Sequence, residues 1–113
     1  LFQMFNEEKQ ATERRQYYRK DVQLAGSFTN PETGEAGDYL VENVSLNGLG
    51  FTTLLGHRLN RNELINVTFR LDDTRHSEIS RVARVRYINE RYVGCQFTDQ
   101  KSYDTDLGFY LMR

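Results

Sequence analysis

The chain is predicted to fold as an all-β antiparallel barrel or sandwich that carries a C-terminal helix. Three observations predict this. Several short runs alternate apolar and polar residues with period two. Turns rich in Gly, Asn, Asp and Pro separate those runs at short intervals. Only the last stretch changes to helical spacing.

The first strand begins at Asp21, where Val22, Leu24 and Phe28 share parity with polar Gln23 and Ser27 between them. Asn30-Pro31-Glu32-Thr33-Gly34 is a turn, with Pro and Gly at punctuating positions. Residues 38–44 form a second strand, and residues 48–54 a third that Gly56 closes. Residues 64–71 set Ile65, Val67, Phe69 and Leu71 against Leu64, Asn66, Thr68 and Arg70, as in a half-buried strand.

Asp72-Asp73-Thr74 turns the chain. Residues 77–88 alternate again, with an irregularity expected midway. Ile79, Arg81 and Ala83 lie on one parity, and Val82, Arg84 and Arg86 on the other. Asn89-Glu90-Arg91 is a tight hairpin into a last strand, residues 92–97. In residues 99–112, Tyr103, Leu107, Tyr110 and Leu111 recur at helical spacing, which predicts a helix docked on the barrel. The start, residues 1–10, is polar with Leu1, Phe2, Met4 and Phe5. It reads as a flexible or helical tail or an interdomain linker. We therefore divide the chain into a tail, residues 1–12, and one domain, residues 13–113.

Composition bounds the function. The chain has 113 residues, enough for one core, and 38% hydrophobic content with seven Tyr and seven Phe, which argues against disorder. No apolar run approaches the roughly 20 residues that span a membrane. The start lacks the apolar stretch of a signal peptide, and it opens at Leu1 rather than Met, which we read as a piece of a longer protein or a processed chain. Cytoplasm is the default compartment for a chain whose one cysteine, Cys95, can form no internal disulfide. Cys95 lies in a strand-like run with no His near it, so a buried structural thiol is expected. The net charge of −1 argues against binding to duplex nucleic acid, which needs many phosphate contacts on one face. Arg outnumbers Lys, which is found only at Lys9, Lys20 and Lys101; this favours bidentate and stacking recognition over a diffuse field.

Two short motifs carry the chemistry. Arg14, Arg15 and Arg19 stand just before the first strand. A guanidinium fork can hold a phosphodiester through paired charge-assisted hydrogen bonds or meet the O6 and N7 edge of guanine. Asn43-Val44-Ser45-Leu46-Asn47-Gly48 follows the second strand. Its Asn43 amide can both donate and accept along a purine edge. The Ser45 hydroxyl adds a donor or acceptor, and Gly48 permits positive φ without steric cost. Each motif alone also fits a plainer role, a solvated basic turn or an ordinary β-turn.

Together and in this order, Arg15-x-x-x-Arg19 and Asn43-x-Ser45-x-x-Gly48 resemble the two motifs of the PilZ domain, a bacterial receptor module for cyclic di-GMP. The flanks agree: Tyr17-Tyr18 inside the first motif, Gly48-Leu49-Gly50-Phe51 after the second, and Val93-Gly94-Cys95-Gln96-Phe97 as a late glycine-containing strand. The first position of the second motif is Asn rather than Asp, a variation found in the family. The resemblance implies a six-stranded antiparallel β-barrel with a C-terminal helix and no catalytic activity. It implies that cyclic di-GMP binds on the outer face of the barrel under the Arg segment. Arg15, Arg19, Asn43, Ser45 and Gly48 match the family's binding positions. A basic residue at the position of Arg14 goes, in the family, with two mutually intercalated ligand molecules. The resemblance also implies a fused domain or protein partner that reads the signal.

The other candidates are weaker. His57 and His76 lack partners at metal spacing and read as solvated loop histidines. Asp72-Asp73 and Asp104/Asp106 fall in a turn and a helix, where solvation or capping explains them. Arg81, Arg84 and Arg86 read as a solvated strand face. No triad order, phosphate-loop glycine pattern or dinucleotide-binding glycine pattern is present. Two rival functions remain. One is a small barrel that stacks single-stranded nucleic acid on Tyr17, Tyr18 and Phe51. The other is a PilZ-like adaptor that binds no ligand.

Overall fold

The structure is a computed structural model and describes residues 19–98 and 105–112. Among them, six antiparallel strands close into a barrel: β1 (Lys20–Thr29), β2 (Ala36–Val44), β3 (Gly48–Thr53), β4 (Leu64–Arg70), β5 (Glu78–Asn89) and β6 (Tyr92–Phe97). Around the barrel the order is β1-β2-β3-β6-β5-β4, and β4 pairs back onto β1. A short helix, α1 (Thr105–Leu111), follows. The expected tail, residues 1–12, lies outside the described residues, as does Tyr103.

Alternation builds the interior. In β4, Ile65, Val67 and Phe69 point inward with 1% exposure or less, while Leu64, Asn66 and Arg70 face out. Each such side chain removed from water contributes about 1.5–3 kcal/mol. Tyr39, Phe28 and Phe51 stack in the centre, with the Tyr39 and Phe51 ring centroids 4.1 Å apart. The buried Tyr39 hydroxyl is satisfied by donating to the Thr68 carbonyl at 2.9 Å. Burial raises its pKa well above the usual phenol range. The helix joins this core through Leu107, Tyr110 and Leu111, and Lys20 caps the Tyr110 ring at 5.0 Å.

Three register shifts interrupt the ladders. In β1, Asp21 pairs with Asn43 and Leu24 with Val41, so β1 has one residue more than β2 there. In β2, Val41 pairs with Phe51 and Asn43 with Gly50, so Glu42 is an extra residue. In β5, Val85 pairs with Cys95 and Tyr87 with Gly94, leaving Arg86 extra. The irregularity expected in the middle of this run thus falls towards its end.

Two expectations are corrected. Arg81 is not part of a solvated face: it lies on the inward Ile79–Ala83 parity, is 4% exposed, and sets its guanidinium 5.0 Å from the Phe97 ring centroid. Its aliphatic stem is buried, and the planar head finds an aromatic face. His57 is half-buried rather than freely solvated. Its Nδ1 accepts the Leu59 N–H at 3.0 Å and its Nε2 meets the Glu90 carbonyl at 2.8 Å, tying its loop to the β5–β6 hairpin.

Candidate functional site

The β1–β2 hairpin brings Arg19 to the end of the barrel that carries the Asn43–Gly48 loop. Lys20 pairs with Val44 and Asp21 with Asn43. Arg19, exposed and one residue before that ladder, therefore stands at the end where β2 turns into the Ser45–Asn47 loop. Arg14 and Arg15 lie outside the described residues.

The bulge at Glu42 explains why Asn43 is available. Val41 and Val44 are both fully buried, which strict alternation would forbid for residues three apart. One extra residue between them flips the parity, so Asn43 emerges half-buried on the outer face. The side chain of Glu42 is taken up by the Thr52 hydroxyl.

Ser45 shapes its own loop. Its Oγ accepts the N–H of Asn47 at 3.1 Å and of Gly48 at 3.2 Å, while its own N–H donates to the Gly48 carbonyl at 2.9 Å. A hydroxyl oxygen has two lone pairs. With both engaged, the Ser45 hydroxyl has its O–H proton left to donate.

Gly48 serves for a different reason than expected. Among the described glycines, positive φ occurs at Gly34 and Gly56, not at Gly48. A Cβ on Gly48 would instead lie 2.1 Å from the Cys95 carbonyl oxygen. The residue is a close-packing glycine between β3 and β6.

Sequence reasoning missed the floor of this face. Asn43, Gly50, Gly94 and Tyr87 are successive register partners across β2, β3, β6 and β5. Two glycines leave the middle of that row without side chains. The signal was readable: Gly48 and Gly50 occupy the parity opposite buried Leu49 and Phe51, hence the outer face. Tyr92 fills the gap from below, where its hydroxyl accepts from Asn43 Nδ2 at 3.1 Å. Beyond Gly48 the face becomes basic. Gln96 pairs with Gly48 on one side and Arg84 on the other, and Arg86 Nε donates to Gln96 Oε1 at 3.1 Å.

The remaining groups fit plain roles. Burial pushes the Cys95 thiol up to about 12. Hydrogen bonds from the backbone N–H and the hydroxyl of Ser77 hold the Asp73 carboxyl below its usual range, and Asp106 pairs with Arg75 at 3.1 Å. Among the described residues no group of three or more His, Cys, Asp or Glu is placed to hold a metal ion, and no helix is long and apolar enough to cross a membrane.

A family model described as the PilZ domain matches residues 13–111. No curated protein matches the chain. Among solved structures, the inhibitor of motility MotI/DgrA of Bacillus subtilis is similar with a TM-score of 0.75 at 23% identity, over 88% of this chain and 51% of that one. The PilZ domain of YcgR from Escherichia coli, solved with c-di-GMP, gives 0.72 at 12% identity, over 88% and 89%. The MrkH–c-di-GMP complex of K. pneumonia gives 0.68 at 18% identity, over 88% and 51%. The chain thus spans about half the length of the first and last of these.

Proposed function

The chain belongs to the PilZ family, and from that premise we propose that it is a non-catalytic receptor domain for cyclic di-GMP. The register that sets Arg19 beside the Asn43–Gly48 loop carries the reading. It brings a permanent guanidinium next to a purine-reading amide and a hydroxyl that can only donate. The solved complexes of YcgR and MrkH with c-di-GMP, on the same barrel, support it.

In this reading Arg15 and Arg19 fork onto ligand phosphates and guanine edges. Asn43 and Ser45 read the base, and Gly48 keeps β3 and β6 close enough to form the floor. Arg14 adds a third guanidinium, which stacks on a second, intercalated ligand molecule. The ligand orders the segment from Arg14 to Arg19 and so changes how the domain, residues 13–113, meets a fused domain or partner across the linker, residues 1–12. The compartment is the cytoplasm, where such a second messenger acts.

Calorimetric titration at physiological salt tests the proposal, with cyclic di-GMP, cyclic di-AMP and a short single-stranded RNA in parallel. Saturable binding of cyclic di-GMP alone is expected, at two molecules per domain and one in Arg14→Leu. Preference for the RNA would favour the nucleic-acid barrel, and no binding of any of them the adaptor.

A further inference from the structure

We propose that Tyr92 is a positioning residue for the ligand site: its hydroxyl anchors the Asn43 side chain across β3 and so holds the amide in place for the ligand. The inference rests on Asn43 being a ligand residue, as argued above.

Asn43 and Tyr92 are not on neighbouring strands. β3 runs between β2 and β6, and the residue of β3 that faces Asn43 is Gly50. The Tyr92 phenol reaches across that strand to accept from Asn43 Nδ2 at 3.1 Å. A Cβ on Gly50 would lie 1.9 Å from the Tyr92 oxygen and 3.0 Å from Asn43 Nδ2. The hydrogen bond therefore passes directly over Gly50, where β3 has no side chain. Tyr87 braces the phenol from the other side, with ring centroids 6.0 Å apart and planes at 66°. Tyr87 stands opposite Gly94, where a Cβ would meet it at 3.4 Å. Gly50 thus makes room for the Tyr92 phenol, whereas a Cβ at Gly94 would meet Tyr87 only at ordinary contact distance.

A primary amide on a free side chain samples several rotamers, each of which places its polar atoms differently. Tied to the Tyr92 hydroxyl, the Asn43 amide is held in one position beside Gly50. A group already in place loses less freedom on binding.

The test titrates cyclic di-GMP into wild type, Tyr92→Phe, Gly50→Ala, Asn43→Ala and the Tyr92→Phe/Asn43→Ala double variant, with circular dichroism as the folding control. Tyr92→Phe keeps the ring and loses only the hydroxyl. It should weaken cyclic di-GMP binding about three- to tenfold, as expected for one hydrogen bond. Gly50→Ala, which displaces the phenol, should do the same. The double variant should bind no more weakly than Asn43→Ala, because Tyr92 acts through Asn43. Unchanged affinity in Tyr92→Phe would overturn the inference, as would losses that simply add. A wild-type chain that binds no cyclic di-GMP refutes the receptor reading itself. That result is distinct from a wild type that binds while Tyr92→Phe binds equally, which refutes this inference alone.

Discussion

The backbone of Gly48 is pressed against that of Cys95: a Cβ at residue 48 would sit 2.1 Å from the Cys95 carbonyl oxygen. The obstacle is main chain in a paired strand, so it cannot swing aside. Gly48→Ala should therefore part β3 from β6 and cost about 1–3 kcal/mol of stability, as overpacking does. Thermal unfolding should show a clear drop in Tm, whereas Asn43→Ala should unfold near wild type. An unchanged Tm in Gly48→Ala would show that the strands adjust freely.

Arg19 is exposed and precedes β1, so its loss should leave the barrel intact. Arg19→Ala and Arg15→Ala should each remove charge-assisted hydrogen bonds worth about 1.5–3 kcal/mol, a weakening of roughly 10- to 150-fold. Calorimetry reads the affinity. Wild-type affinity in both variants would remove the Arg segment from the site.

Ser45 and Asn43 should separate in their effects. Ser45→Ala deprives the Asn47 and Gly48 N–H groups of their acceptor, so it should lower Tm as well as affinity, by about 1 kcal/mol for each lost bond. Asn43→Ala should lower affinity and the preference over cyclic di-AMP with little change in Tm. Paired melting and titration curves check both. Equal destabilisation by the two substitutions would contradict the distinction.

The Cys95 thiol is buried and pushed up to about 12. The thiolate is the reactive form, so at pH 8 the folded protein should react slowly with a thiol reagent and stoichiometrically once denatured. Rapid labelling of the native chain would show that the β3–β6 seam opens.

How much of this was legible follows from where the rules of alternation hold. Ile65, Val67 and Phe69 mark β4 because an unbroken strand buries every second residue. The hairpin that brings Arg19 to the Asn43 loop follows from the turn residues Asn30, Pro31 and Gly34. The bulges were not legible in full. Glu42 looks like any exposed strand residue, yet it decides that Asn43 and not Val44 faces out. Arg81 was misread because its charge outweighed its parity; only the barrel shows Phe97 waiting for the guanidinium. The contact from Asn43 to Tyr92 joins residues 49 apart in sequence across an intervening strand. No local pattern encodes such a contact, although the paired outward glycines pointed to it.

A backbone amide NMR titration with cyclic di-GMP maps the ligand onto the barrel. Saturable shifts are expected at Arg19, Asn43, Ser45, Asn47, Gly48 and Gly50. At the far end of the barrel, around Thr33, Gly34, Asn60 and Glu63, the signals should stay still. Shifts centred at that far end, or no shifts at ligand concentrations well above the protein, would contradict the receptor reading.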